Sequence, residues 1–287
     1  MQTPYSAFLP TDSTLQTSIK TIGICRFSYA GMGGFQVEHP DLPAREAFLY
    51  DPVRMEERFR LFEAITLPSV AGQTDPDFTF LIVTGDSLPD AYMTRLRALT
   101  ERIPQTMIRS YPPLPHRKVM KRAINEARGD ADTPCLQFRL DDDDAMAVTF
   151  VARLKQTALD LRSLWDRHPA IAIDFNKGYV FTAGPEGISV WAYKYQYSAI
   201  ALGMLVQPGH TDTIMNHGHQ NLWKTMPTVT FTDEDMMMRG HNDFNDSRQK
   251  ARRNVFDYQP LDSGQAAYFK KTFNIDNAVV RRIFSVG

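Results

Sequence analysis

"TPCLQFRLDDDDAM", residues 133–146, decides how the rest of the chain is read. Its first eight residues, apolar at Cys135, Leu136, Phe138 and Leu140, have the length and composition of a buried strand. Four consecutive aspartates follow at once. Adjacent carboxylates repel one another, and the cost rises where the site is partly buried. Such a run is either a solvated loop or the oxygen cage of a bound cation.

Working outward, "TIGICRFSY" (21–29), "DFTFLIVTGD" (77–86) and "QTMIRSY" (105–111) read as three more buried strands. Helices are expected between them. One spans 51–73, with Met55, Phe59, Phe62 and Ile65 or Ala64 on one face and Asp51-Pro52 as cap and first turn. Another spans 88–103, begun by Pro89-Asp90. A strongly basic one, 115–130, stops at Gly129, and a long amphipathic one covers 146–165. The stretch carrying Pro40, Pro43 and Pro52 reads as a loop. Alternating strands and helices predict a doubly wound, mostly parallel α/β sheet. After about residue 168 the pattern turns to aromatic-rich alternation, as in antiparallel strands, followed by a segment dense in His, Asn, Asp and Met (210–248) and two short helices. The expected organisation is a loosely held arm over 1–20 and a single domain over 21–287. Its donor-binding half is about 21–168 and its acceptor half about 169–287.

Ligands of open α/β sheets bind beyond the carboxyl ends of the strands, which is where the aspartates stand. They could instead cap the helix read at 146–165, a task for Asp143 or Asp144. A cap needs one acid, not four.

The chain is 287 residues long, 43% apolar and 23% charged, with a formal net charge of −1. That near-neutral balance gives no field pointing to nucleic acid or to an anionic membrane. Cys25 and Cys135 each sit in an apolar run, as buried free thiols of a reducing compartment do. "MQTPYSAFLPTDSTLQTS" lacks the features of a signal peptide, and the longest apolar run, "AIALGMLV" (199–206), is too short to span a bilayer. The expectation is a soluble, cytoplasmic protein with no transmembrane segment, peripheral membrane contact being left open.

Apolar strand, Asp-x-Asp and helix together resemble the DxD pattern of GT-A glycosyltransferases. In those enzymes the acids hold Mn²⁺ or Mg²⁺, and the metal holds the diphosphate of a nucleotide-sugar donor. Leu140-Asp141-Asp142-Asp143-Asp144 matches the L-D-x-D-D form, which implies Asp141 at the ribose or the metal and Asp143 as a direct metal ligand. Strand alternation would put these two on one side. "RFRLFEAITLPSVAGQTDPDF" (58–78) together with "RLDDDDA" (139–145) resembles the bacterial rhamnosyltransferase family of GT-A-like proteins, over roughly residues 20 to 250. The longer string mostly describes packing. The resemblance implies a glycosyltransferase acting on a carbohydrate or lipid-linked glycan acceptor, with dTDP-rhamnose as the donor the family label suggests.

A diphosphate needs cations, and Arg26, Arg117 and Lys118 are the candidates, with Lys121 and Arg122 on the same basic helix; an ordinary solvated helix face is the plainer reading. "AGMGG" (30–34) does not match a dinucleotide-binding glycine pattern. The GT-A resemblance implies a third metal ligand from the C-terminal region, where His217, His219 and His241 are available. It also implies an acidic base near the acceptor: Asp235, with Glu234 or Asp233 as alternates. The same acids could form a helix N-cap box. Met236 to Met238 are either a soft acceptor-side wall or packing. Rival readings are a nucleotidyltransferase of similar sheet topology and a non-catalytic cation- or glycan-binding module. A haloacid-dehalogenase-type phosphatase is disfavoured because Ala145 follows the acids and the strand is the fourth.

Overall fold

The computed structural model describes residues 19–34, 39–242 and 256–285. The arm read at 1–20 therefore lies, up to residue 18, outside the described residues. The first four strands are β1 (Lys20–Arg26), β2 (Thr79–Gly85), β3 (Thr106–Tyr111) and β4 (Cys135–Arg139). They run parallel in the order β3-β2-β1-β4. β1, β2 and β4 are buried almost throughout, as strands covered on both faces must be.

The sheet continues with β9 (Leu202–Val206), which is antiparallel to β4 and to β6 (Ala170–Phe175). β10 (Thr228–Phe231) closes it, parallel to β6. Six of these seven strands thus point one way, and β9 opposes them. A second sheet has the order β12-β8-β7-β11-β5. Its strands are β12 (Gln259–Pro260), β8 (Gly187–Lys194), β7 (Lys177–Gly184), β11 (Met237–Gly240) and β5 (Ala145–Met146). One apolar cluster runs through both sheets, from Cys25 and Phe138 to Phe181, Ile188 and Phe269. Cys25 and Cys135 are buried and unpaired. Among the described residues no helix is long and apolar enough to cross a membrane.

The proline-bearing stretch is not all loop. α1 (Leu42–Leu49) starts there, with the Asp41 side chain accepting from Ala44 N at 2.8 Å and Pro43 in the first turn, where its missing N–H costs nothing. The helix expected over 51–73 is interrupted. α2 (Pro52–Leu61) is capped by Asp51 as predicted, but a π-helical turn, 62–66, separates it from α3 (Leu67–Ala71). α4 (Asp90–Thr100) and α5 (His116–Arg128) stand where expected, and Gly129 ends α5 at φ 73°.

The helix read at 146–165 begins later. Ala145 and Met146 pair with β11 instead, and α6 (Phe150–Asp160) and α7 (Arg162–Trp165) follow. Thr149 precedes α6 without a side-chain cap, so neither Asp143 nor Asp144 caps it. No helix starts at Asp233–Asp235 either. Met236, Met237 and Met238 are fully buried, the latter two within β11 between β7 and β5, and strand pairing has overridden helix propensity. α8 (Ser263–Phe273) and α9 (Asn277–Ser285) close the described chain.

Candidate functional site

The four aspartates form a turn just past the carboxyl end of β4, closed by Asp144 N donating to Asp141 O at 3.2 Å. Each acid has its own fate. Asp142 is wholly buried and accepts one edge of the Arg58 guanidinium in bidentate fashion, Nε donating to Oδ2 at 2.7 Å and Nη2 to Oδ1. Asp144 accepts the Gly240 N–H at 2.9 Å, which ties the turn to β11. Gly240 has no room for a side chain, since a Cβ there would lie 2.3 Å from Asp143 O. Asp143 is buried and accepts from Asn242 Nδ2 at 2.8 Å. Burial, then the charge of neighbouring Asp142, pushes its carboxyl up to about 7. Burial, then Asp143 and Asp141, likewise pushes Asp144 well up. Asp141 faces outward, its side chain 44% exposed, with Arg139 at 3.9 Å.

The string 58–78 turns out to hold this turn in place. Besides Arg58 on Asp142, Thr66 Oγ1 donates to Asp144 O at 2.8 Å. Ser69 Oγ accepts from Met146 N at 3.4 Å. The Gln73 side chain donates to Ala147 O at 2.8 Å and accepts from Val151 N at 3.0 Å. The π-helical turn at 62–66 joins α2 to α3, so Arg58, Thr66 and Ser69 all reach the aspartate turn and its exit from one continuous helical stretch.

Beside Asp141, a small cavity opens at the edge of β1 and β4, lined by Arg26, Gly34, His116, Arg139 and Asp141. Register puts Ile24 opposite Arg139, so Arg26 and Asp141 come level at the strand ends. Arg26 donates to Gly34 O at 3.2 Å. Gly34 adopts φ +82°, and a Cβ there would meet the His116 ring at 2.6 Å, so "AGMGG" is the wall of this cavity and not a phosphate cradle. His116 is the first residue of α5. Burial, then Arg26, Arg117 and Arg139, pushes it down to about 4, so it stands neutral at neutral pH. Arg117 and Lys118 are exposed and do not line the cavity. Arg122 pairs with Glu126.

The histidines part company. His219 Nδ1 is 2.5 Å from Tyr197 O, and burial holds its pKa below the ordinary value. His219 does not line the cavity beside Asp141. His241 Nδ1 meets the Tyr258 hydroxyl at 2.5 Å, one residue before the Asn242 that reaches Asp143. His217 lies 3.9 Å from Asp212 and 3.4 Å from the Thr225 hydroxyl.

Asp235 is elsewhere. Tyr179 and Tyr268 hydroxyls donate to its Oδ2 at 3.1 and 2.6 Å, and Lys177 stands 3.2 Å from Oδ1. Strand register brings it level with Val148, about five extended residues or roughly 16 Å from the Gly240 that touches the aspartate turn. A base must come within about 2.6–3.2 Å of the proton it takes. Asp235 instead lines a second cleft, with Lys177, Tyr268 and Thr272. Asp233 and Glu234 flank it and face Arg153 at 3.2 and 3.8 Å.

Asp174, near the end of β6, accepts from Tyr197 N and from the Thr230 hydroxyl, both at 3.1 Å. Burial nonetheless pushes it up to about 6 from 3.8. A folded pKa above the unfolded one means that this group's stability contribution is complete below about pH 4 and is lost as pH rises through about 6. Thermal unfolding from pH 4 to 7 should show the wild-type midpoint falling relative to Asp174→Asn, by the equivalent of about 3 kcal/mol at most. Parallel profiles would remove this assignment.

The family model described as "Putative rhamnosyl transferase" matches residues 20–254. The chain belongs to that family. This rhamnosyltransferase-family chain has an α/β fold, a mostly parallel seven-stranded sheet beside a mixed five-stranded one. Among solved structures it is similar to residues 1–349 of S. aureus TarS in complex with UDP-GlcNAc, at 11% identity and a TM-score of 0.42. That match covers 79% of this chain and 60% of the TarS fragment, so the chain spans about three fifths of the length of that relative. It is also similar to a structure described as a "putative nucleotide-diphospho-sugar transferase" from Desulfovibrio desulfuricans G20. There the identity is 13% and the TM-score 0.37, with 92% of this chain and 97% of the other covered. No curated protein sequence matches the chain.

Among the described residues no three or more His, Cys, Asp or Glu side chains gather to hold a metal ion. Asp142 is held by Arg58 and Asp144 by Gly240, and of the four acids Asp141 is the one that lines the cavity. An exposed acid of this kind would fit a Mg²⁺- or Mn²⁺-like ion, which takes one or two carboxylates and completes its shell with substrate phosphates and water. Reading the sequence did not single out Arg58, His116 or Arg139. Arg58 had a signal: it falls beside Met55 and Phe59, on the buried face of α2, where an unpaired cation is not tolerated.

Proposed function

We propose that this protein is a glycosyltransferase that holds the diphosphate of a nucleotide-sugar donor at the edge of β1 and β4 and passes the sugar to a hydroxyl acceptor. One observation carries the reading. Outward-facing Asp141 lines a cavity walled by Arg26 and Arg139, at the strand ends where α/β folds bind ligands, and buried, crowded Asp143 follows two residues on in the same turn. Arg26 and Arg139 supply charge for phosphate oxygens, and neutral His116 supplies a ring nitrogen for a hydrogen bond without adding to the charge. The cavity admits a small polar group, so the nucleoside would lie along the open edge beyond it. A Mg²⁺ or Mn²⁺ bound by Asp141 and Asp143 would neutralise the diphosphate and stabilise it as leaving group. dTDP-rhamnose is the donor the family name favours.

The test is calorimetric titration with dTDP, UDP and GDP, each with Mn²⁺ and with chelator. At least one should bind in a Mn²⁺-dependent way, and Arg26→Ala should weaken it about tenfold to a hundredfold, the loss of one charge-assisted contact. If no nucleoside diphosphate binds under either condition, the donor site is not here.

A further inference from the structure

Beside the donor edge runs an open cleft of about 490 Å³ lined by Asn176, Lys194, Tyr195, Gln196, Tyr197 and Gln220. Its size is that of a small-molecule site, roughly 300–1,000 Å³. Its chemistry is amide, phenol and aromatic ring, with no carboxylate in the lining and with Lys194 exposed. Such groups exchange hydrogen bonds with hydroxyls and offer flat apolar faces, which is what a sugar ring presents to a protein.

Asn176 is the telling residue. Its backbone is fully engaged, N–H to Phe231 O at 3.1 Å and carbonyl from Tyr195 N at 2.8 Å. It is 6% exposed, and its Oδ1 is buried without a hydrogen-bond partner. A buried acceptor left unmatched is unfavourable unless something arrives to donate to it. The neighbouring ring is held ready: Gln220 Nε2 donates to the Tyr195 hydroxyl at 2.6 Å, and Tyr195 stacks on Tyr193 at 5.5 Å between centroids.

The cleft also lies where an acceptor must. Register through β9 puts Ile173 of β6 level with Phe138 of β4, so Asn176 comes level with Asp141. Two strand spacings separate them, about 10 Å. His219 Nδ1 meets Tyr197 O on the cleft wall at 2.5 Å.

We infer that this cleft is the acceptor subsite and that it takes a neutral saccharide, one hydroxyl donating to Asn176 Oδ1 and one ring face resting against Tyr195. The inference rests on the glycosyltransferase reading and extends it to the acceptor. The probes are methyl glycosides of the common hexoses, 6-deoxyhexoses and N-acetylhexosamines, observed by saturation-transfer NMR on the full chain. dTDP affinity with Mn²⁺ is measured in parallel. At least one glycoside should bind, and Tyr195→Ala and Gln220→Ala should each weaken it tenfold or more, with dTDP affinity unchanged. Gln220 is exposed, so its variant carries the test even if Tyr195→Ala fails to fold. Undiminished glycoside binding in both variants, or no glycoside binding by the wild type, overturns the inference. Glycoside binding that persists in a protein unable to bind any nucleoside diphosphate would support the cleft and sink the donor site instead.

Discussion

Asp143→Ala is expected to lower Mn²⁺-dependent nucleoside-diphosphate affinity by roughly a hundredfold or more, since removing even an outer partner of a metal ligand costs about ten- to a hundredfold. The protein should remain folded. Asp143 is a buried acid crowded by two others, and burial, then the charge of Asp142, pushes its carboxyl up to about 7 in spite of Arg58. Replacing it removes a buried repulsion along with the hydrogen bond from Asn242. The melting midpoint without metal should therefore stay level or rise, while the shift on adding Mn²⁺ and nucleotide together disappears. Affinity equal to wild type in a well-folded variant would mean that this acid does not touch the ion.

Arg58→Ala should have the larger effect on stability, a loss of about 3–5 kcal/mol, because it strands the wholly buried Asp142 without its bidentate partner. The paired replacement Arg58→Met with Asp142→Leu should recover most of that loss, since two apolar side chains of similar size need no compensation. Denaturant unfolding of the two single variants and the double one measures the coupling directly. A single-variant cost below about 1 kcal/mol would show that water reaches the pair.

Much of the first sheet could be read from local pattern. β1, β2 and β4 are apolar runs of strand length, buried on both faces, and need no partner to announce themselves. α1 was hidden because Pro43 signals a loop unless it stands in a first turn. β5 was hidden for another reason. Two residues become a strand only because Met237 and Met238, some ninety positions later, lie alongside them. Asp233–Asp235 had the composition of a helix start, and the fully buried methionines that follow made it a strand approach instead. Within the site, alternation put Asp141 and Asp143 on one side, but β4 ends at Arg139 and the acids form a turn, with Asp141 exposed and Asp143 buried. That Arg26 belongs to the cavity and Arg117 and Lys118 do not depends on which way α5 presents its first residues, a tertiary fact.

The polypeptide leaves one sheet at Arg139 and enters the other at Ala145, so the acids occupy the seam between two layers. Gly240 and Asn242, which grip Asp144 and Asp143, belong to the far layer, and Arg58, which grips Asp142, comes from a helix packed on the near one. A ligand drawing Asp141 and Asp143 together would thus pull both layers against each other, as a rivet tightens two plates.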